Sequence, residues 1–142
     1  MQGRALSPGD QLALGYCDAP TSSILRRLTH PPTYLSSWTI YCLSGPQDDD
    51  LFLSPAGRRT FYETEWKISP ASNRMGVRLE GPKINFAREN GGEGGSHPSN
   101  ILDNGYALGS VNLNGDTPII LTNEGPDMGG YMCAATIASA DL

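Results

Sequence analysis

The stretch 88–100 (RENGGEGGSHPSN) concentrates the residue types most able to do chemistry. Four glycines surround Glu93, and His97 stands directly before Pro98. Glycine allows a backbone to approach a ligand closely, so this loop can deliver a carboxylate and an imidazole into one site. The same composition also describes a plain surface loop. A second polar group is Gln47-Asp48-Asp49-Asp50, which follows the break at Gly45-Pro46. A third is Arg78, which alternation places on the opposite side of its strand from Met75, Val77 and Leu79. There is no Gly-x-Ser-x-Gly elbow and no phosphate-binding glycine loop. Gly91–Gly95 follows no clear strand and opens no helix, so it is not a dinucleotide fingerprint. His30 and His97 lie far apart without cysteine partners, and no metal site is expected on this chain. His30, before Pro31-Pro32, reads as a solvated loop residue.

The elements that must position these groups are short. Leu12 and Leu14 alternate with Gln11 and Ala13 after a Pro8-Gly9-Asp10 turn. Residues 18–36 read as a loop or linker, with one helical turn conceivable at 24–28. Trp38 to Leu43 is β-branched and aromatic and predicts a strand. Ser54 as N-cap and Pro55 at the first helical position predict a short helix toward Tyr62, weakened by Gly57. Further strands are expected from Glu65 to Ile68, from Met75 to Leu79, from Leu108 to Leu113, from Pro118 to Thr122 and from Tyr131 to Ile137. Asn114-Gly115 is a hairpin signal. Pro118 puts its strand at an edge or has it enter the ladder late.

Composition agrees with this. The 142 residues suit one domain. Gly 17 and Pro 11 are well above ordinary usage and exclude coiled coils and long-helix bundles. The net charge is −5, and the arginines are scattered, so a nucleic-acid footprint is absent. No apolar run is long enough to span a membrane. Cys17, Cys42 and Cys133 are odd in number and widely spaced, which reads as reduced thiols of a cytoplasmic protein. About seven strands and one helix predict a closed or nearly closed β-barrel.

Several ordered motifs carry a resemblance. They are Gly45-Pro46-Gln47-Asp48-Asp49, Ser72 through Pro82, Gly91 through Ile101 and Gly115-Asp116-Thr117-Pro118-Ile119-Ile120-Leu121. Met128-Gly129-Gly130-Tyr131 and Ile137 through Leu142 complete the series. Together with Gly3 to Asp10 they resemble the carboxyltransferase domain of biotin-dependent urea carboxylase and urea amidolyase, the allophanate hydrolase subunit 2 family. A 5-oxoprolinase subunit belongs to the same family. The His-Pro-Ser-Asn in the 91–101 loop is similar to the urea carboxylase version rather than the oxoprolinase one. Residues 18–36 match nothing in the family pattern.

The resemblance implies a mainly β fold, a cyclophilin-like β-barrel with one or two short helices. It implies that residues 1–142 are one domain, the C-terminal part of a carboxyltransferase A/B region. The implied activity is carboxyl transfer from carboxybiotin to urea, giving allophanate, with the isolated chain inactive. Biotin would be carried on another domain, because Lys67 and Lys83 lack flanking methionines. ATP would serve only a separate biotin carboxylase domain. Implied partners are the remaining carboxyltransferase subdomains, the biotin carboxylase and the biotin carrier, with urea or a similar small amide as acceptor. Arg78 would hold a carboxylate, and Glu93 and His97 would serve acid–base or hydrogen-bonding roles. Asp48, Asp49, Asn73, Arg74 and Asn100 would contact substrate, and Tyr131 would pack on biotin. The alternatives are a 5-oxoprolinase-type subunit and a non-catalytic stand-alone interaction module.

Overall fold

Ser54 starts the α-helix as its sequence requires. Its backbone is extended (φ −64°, ψ 158°), and its Oγ accepts the Gly57 N–H at 3.0 Å while donating to the Asn85 carbonyl at 2.9 Å. Helix α1 then runs Pro55–Glu63 with Pro55 at its first turn. The Ser54 cap therefore serves two partners. Ser54→Ala is expected to lower stability by about 1 kcal/mol, read as a lower urea midpoint at unchanged slope.

The computed structural model describes residues 5–13, 15, 28–139 and 141. Cys17, residues 24–27 of the helical turn conceivable at 24–28 and the Gly3-Arg4 part of the Gly3 to Asp10 motif lie outside them. The chain divides into two units, residues 1–36 and 37–142. In the first, Pro8-Gly9 makes the expected turn: Asp10 N–H donates to the Ser7 carbonyl at 3.1 Å, and Gly9 has φ 93°. Residues 11–13 form no strand.

The second unit is mainly β. Its strands are β1 (Cys42–Ser44), β2 (Lys67–Ile68), β3 (Gly76–Glu80), β4 (Asn100–Gly105), β5 (Ser110–Asn114), β6 (Thr117–Leu121), β7 (Met128–Tyr131) and β8 (Cys133–Ile137). Six form one antiparallel sheet in the order β1-β8-β5-β6-β3-β2, and β4 pairs with β7 in a second. Among the described residues the larger sheet is open, with β1 and β2 as its edges, so the expected barrel closure is not present in this segment. No described helix is long and apolar enough to cross a membrane.

One core lies on the sheet face carrying Val111, Leu113 and Ala135. Phe61 of α1, Leu53, Ile84 and Met132 complete it. Leu53, Leu113 and Met132 have no exposed surface, and each such side chain contributes roughly 2 kcal/mol of burial. The apolar set of β3 behaves as its alternation predicts at Val77 and Leu79, which are half-buried, while Arg78 is exposed.

Further expectations change. The 38–43 strand is shorter and later: pairing starts at Cys42, because Tyr41 N–H instead donates to the Asp141 carboxylate at 2.6 Å. Strand β4 was not expected, since its pairing with β7 is non-local. The single strand expected at 131–137 is two. Met132, with no exposed surface, donates to the Ser99 carbonyl at 2.9 Å and accepts from Leu113 N–H at 3.0 Å, and there the chain passes from one sheet to the other. Strand β6 is interior rather than an edge, and Pro118 enters late: the β3 pairing ends at Ile119, one residue short of it.

Candidate functional site

The glycine-rich loop is a built structure. Gly91 N–H donates to the Gly95 carbonyl at 2.9 Å, closing a tight 3-10 turn over Gly92–Gly94. Gly95 sits at φ 139°, a conformation that side chains rarely adopt. Glu93 projects from this turn, exposed, with no ion pair or hydrogen bond among the described residues.

His97 is half-buried and tied down. Its Nδ1 lies 2.8 Å from Ser99 Oγ and 3.1 Å from Ser99 N, and its ring stands edge-on to Phe86 at 5.3 Å. Arg88 holds the same loop from beneath. Its Nε donates to the Pro98 carbonyl at 2.7 Å and its Nη2 to the Asn100 carbonyl at 2.6 Å, while the guanidinium lies 4.2 Å over the Phe52 ring. Burial lowers the Arg88 pKa from its ordinary value. Asn100 opens β4 opposite Tyr131 of β7. Tyr131 is 36% exposed. The buried Tyr106 hydroxyl both donates to its carbonyl and accepts its N–H, each at 2.8 Å.

The loop also reaches the β5–β6 hairpin. Gly115 N–H donates to Ser99 Oγ at 3.1 Å. The next residue, Asp116, lines a cavity of about 330 Å³ with Ser69, Arg78, Glu80, Gly81 and Thr117. Asp116 Oδ1 is buried with no hydrogen-bond partner among the described residues, and Lys83 Nζ stands 4.0 Å from Oδ2. Arg78 lies in one cross-strand row with Ile119, Asn112 and Cys133. Thus His97, Asn100 and Tyr131 are neighbours, and the hairpin tip connects them to Arg78.

The other expected residues are engaged elsewhere. The Asp48 side chain is 7% exposed and accepts from Ser44 Oγ (2.8 Å), Arg58 Nε (2.8 Å) and Tyr62 Oη (2.7 Å). Burial, then the bond to Asp48, holds the Tyr62 phenol well above its ordinary pKa. Asp49 Oδ1 accepts Leu51 N–H at 2.9 Å within its own turn. Asn73 Oδ1 accepts Met75 N–H at 2.9 Å in an Asx-turn, with no left-handed backbone. Arg74 pairs with Glu124 at 2.5 Å, and its carbonyl accepts the Thr122 hydroxyl. These last two lie by Leu121, at the end of β6 opposite the hairpin tip. Among the described residues no cluster of His, Cys, Asp or Glu could hold a metal.

Sequence reasoning missed Arg88, Ser99 and Asp116. Arg88 opens the glycine-rich stretch, and the Gly115-Asp116 pair marks a hairpin tip; those were the available signals.

A mainly β unit thus gathers polar loop residues around one hairpin end. A model of the carboxyltransferase domain, subdomain A and B, matches residues 1–142, and the chain belongs to that family. It is 41% identical over 150 residues to the urea amidolyase of Lachancea kluyveri, covering 99% of this chain and 8% of that one. It is 30% identical over 146 residues to a 5-oxoprolinase subunit of Escherichia coli K12, covering all of this chain and 41% of that relative. The crystal structure of the Kluyveromyces lactis urea carboxylase aligns with a TM-score of 0.73 at 42% identity, over 78% of this chain and 10% of that one. The chain thus spans a small part of its fungal relatives.

Proposed function

We propose that these residues form part of a carboxyltransferase domain that moves a carboxyl group from a biotin carried on another domain to urea, giving allophanate, and that they are inactive alone. The observation that carries this reading is the 41% identity to a urea amidolyase across 99% of the chain. In this reading residues 1–142 are the C-terminal part of one A/B region, and the rest of that region closes the open sheet into a cyclophilin-like barrel. Biotin carboxylase, where ATP is used, and the biotin carrier are the other partners. The free thiols of Cys42 and Cys133 suit a cytoplasmic protein.

The chain's residues fit a ureido or amide group. Arg78 offers a planar fork to a carboxylate above the cavity, and the unpartnered Asp116 Oδ1 accepts an amide N–H. Glu93, free of ion pairs among the described residues, accepts a second N–H or a proton. His97 and Asn100 stand outside the cavity lining and are joined to it through the Ser99–Gly115 bond, and the exposed ring of Tyr131 gives biotin a face to pack on. Biotin, when bound, supplies the carboxyl group in transferable form. Asp48, Asp49, Asn73 and Arg74 are assigned to holding the scaffold.

The test uses the K. lactis urea carboxylase with this segment in place of its own. Arg78→Ala and Glu93→Gln are each expected to lower urea carboxylation about 100-fold, the scale for losing one charge-stabilising or proton-transferring group. Unchanged allophanate formation in both would remove these assignments. The likeness to a 5-oxoprolinase subunit supports a second reading, which stimulation by 5-oxoproline and not by urea would establish.

A further inference from the structure

We propose that Arg88 is the positioning residue of the glycine-rich loop, and that the loop it holds presents His97 as a hydrogen-bond donor, through Nε2–H, to a carbonyl or carboxylate oxygen of the bound molecule. That the molecule is a small amide rests on the carboxyltransferase reading; the donor geometry does not.

The argument starts at Ser99, which has no exposed surface. The Arg88 fork spans the carbonyls on either side of it, Pro98 and Asn100, at 2.7 and 2.6 Å. Charged donors in this geometry make the stronger class of hydrogen bond. The guanidinium carbon also lies 4.2 Å over the Phe52 ring, a cation–π contact. Ser99 is thereby held so that its backbone N–H points at His97 Nδ1, 3.1 Å away. A backbone N–H only donates, so Nδ1 accepts. The Ser99 hydroxyl agrees: it accepts the Gly115 N–H at 3.1 Å, leaving its own hydrogen for Nδ1 at 2.8 Å. A neutral imidazole whose Nδ1 accepts carries its proton on Nε2. The Phe86 contact at 88° sets the ring plane. Nε2 has no partner among the described residues, so it is the nitrogen left for a ligand. A base at Nε2 would need the other tautomer, which loses both Ser99 contacts. The ligand atom opposite Nε2 is therefore an acceptor oxygen.

The experiment is long-range 1H–15N correlation on the 142-residue chain labelled at histidine. The expected spectrum shows His97 with a bare Nδ1 and a protonated Nε2. Arg88→Lys keeps the charge but cannot span both carbonyls. It is expected to turn the single His97 tautomer into a mixture and to speed Gly115 amide exchange about tenfold, the size of one lost hydrogen bond. Ser99→Ala removes only the hydroxyl and is expected to speed Gly115 exchange by a similar factor. A proton on Nδ1 in the unaltered chain overturns the donor assignment. An Arg88→Lys spectrum identical at His97 and Gly115 overturns the role of Arg88. Should Arg88→Lys lose its dispersed amide spectrum, Phe52→Leu, which removes the aromatic face under Arg88 and keeps an apolar side chain for the core, takes its place with the same two readouts. None of these measurements uses urea or biotin, so failed carboxylation with a preserved tautomer would sink the carboxyltransferase reading and leave this one standing.

Discussion

Asp48→Ala is expected to destabilise the chain by about 3 kcal/mol, the scale for losing one charged and two neutral hydrogen bonds at a nearly buried carboxylate. For a domain of this size the melting temperature falls by about 10 °C. The reason is the geometry of one nearly buried side chain. Its oxygens accept from a serine in β1 and from Arg58 and Tyr62 on α1, all within 2.8 Å. The network thus ties the first strand, the Gly-Pro-Gln-Asp turn and the helix together. Arg58 also reaches Asp50 at 3.2 Å and the Tyr62 hydroxyl also reaches the Ala134 carbonyl at 3.3 Å, so the loss falls mainly on the tie between the turn, β1 and the helix and on packing. Asp48→Asn keeps the volume and is expected to lose about half as much. The same variant supplies a titration. Removing Asp48 takes away one cause of the raised Tyr62 pKa, so the phenol should titrate closer to 10.0, its ordinary value. A tyrosine whose folded pKa is raised stabilises the fold below the unfolded pKa and loses that contribution as the pH climbs through the folded one. The gap between the unaltered chain and Asp48→Ala should therefore narrow above about pH 10. Coincident melting curves at neutral pH would show that Asp48 is not the tie described here.

Asp48 also shows what a sequence conveys and what it withholds. The helix at 55–63 was readable because Ser54 and Pro55 act on their immediate neighbours. The hairpin was readable because a two-residue turn is local; Gly115 and Asp116 form it, at φ 64° for Gly115, one position later than the Asn-Gly pair suggested. Asp48 reads as an acidic turn until its partners are placed. Arg58 and Tyr62 stand four apart on one helix face and meet there on Asp48. Strand β4 and the break at Met132 were invisible for a related reason. Nothing in Tyr131-Met132-Cys133 interrupts the strand pattern, and the change of sheet is dictated by Ser99 and Leu113, distant in sequence. The site divides the same way. Glu93 and His97 stood out as candidates from their glycine setting, whereas Arg88 makes its contacts ten and twelve residues away. The open edges at β1 and β2 were equally invisible, because no local pattern sets where a sheet ends.

Gly57→Ala should be the other large loss, against the usual direction. In an ordinary helix interior this change stabilises by about 1 kcal/mol, because alanine has less backbone freedom to surrender. At Gly57 an added Cβ would stand 1.9 Å from the Asn85 carbonyl oxygen and 2.8 Å from its carbon. Both are backbone atoms, so no side-chain rotation relieves the contact. The helix and the 84–86 segment must separate, and the segment is held on both sides. Ser54 N and Oγ donate to that same oxygen at 3.2 and 2.9 Å, Ala87 N–H donates to the Phe52 carbonyl at 2.9 Å, and Leu53 bridges Phe86. Leu53 and Ile84, at 0% and 1% exposure, lie at the seam. Overpacking there costs about 1–3 kcal/mol, and each hydrogen bond pulled apart adds about 1. The expected total is about 3 kcal/mol or more. Ala56→Gly, one position earlier and exposed, supplies the contrast: it should lose only the helix-propensity difference of about 1 kcal/mol. Urea denaturation of the two variants settles the matter, and a Gly57→Ala chain more stable than the original would mean that the helix does not rest on Asn85. Shifting the helix would also draw Arg58 and Tyr62 away from Asp48. The glycine that weakens the helix in isolation is therefore the residue that lets it dock where its polar face meets the first strand.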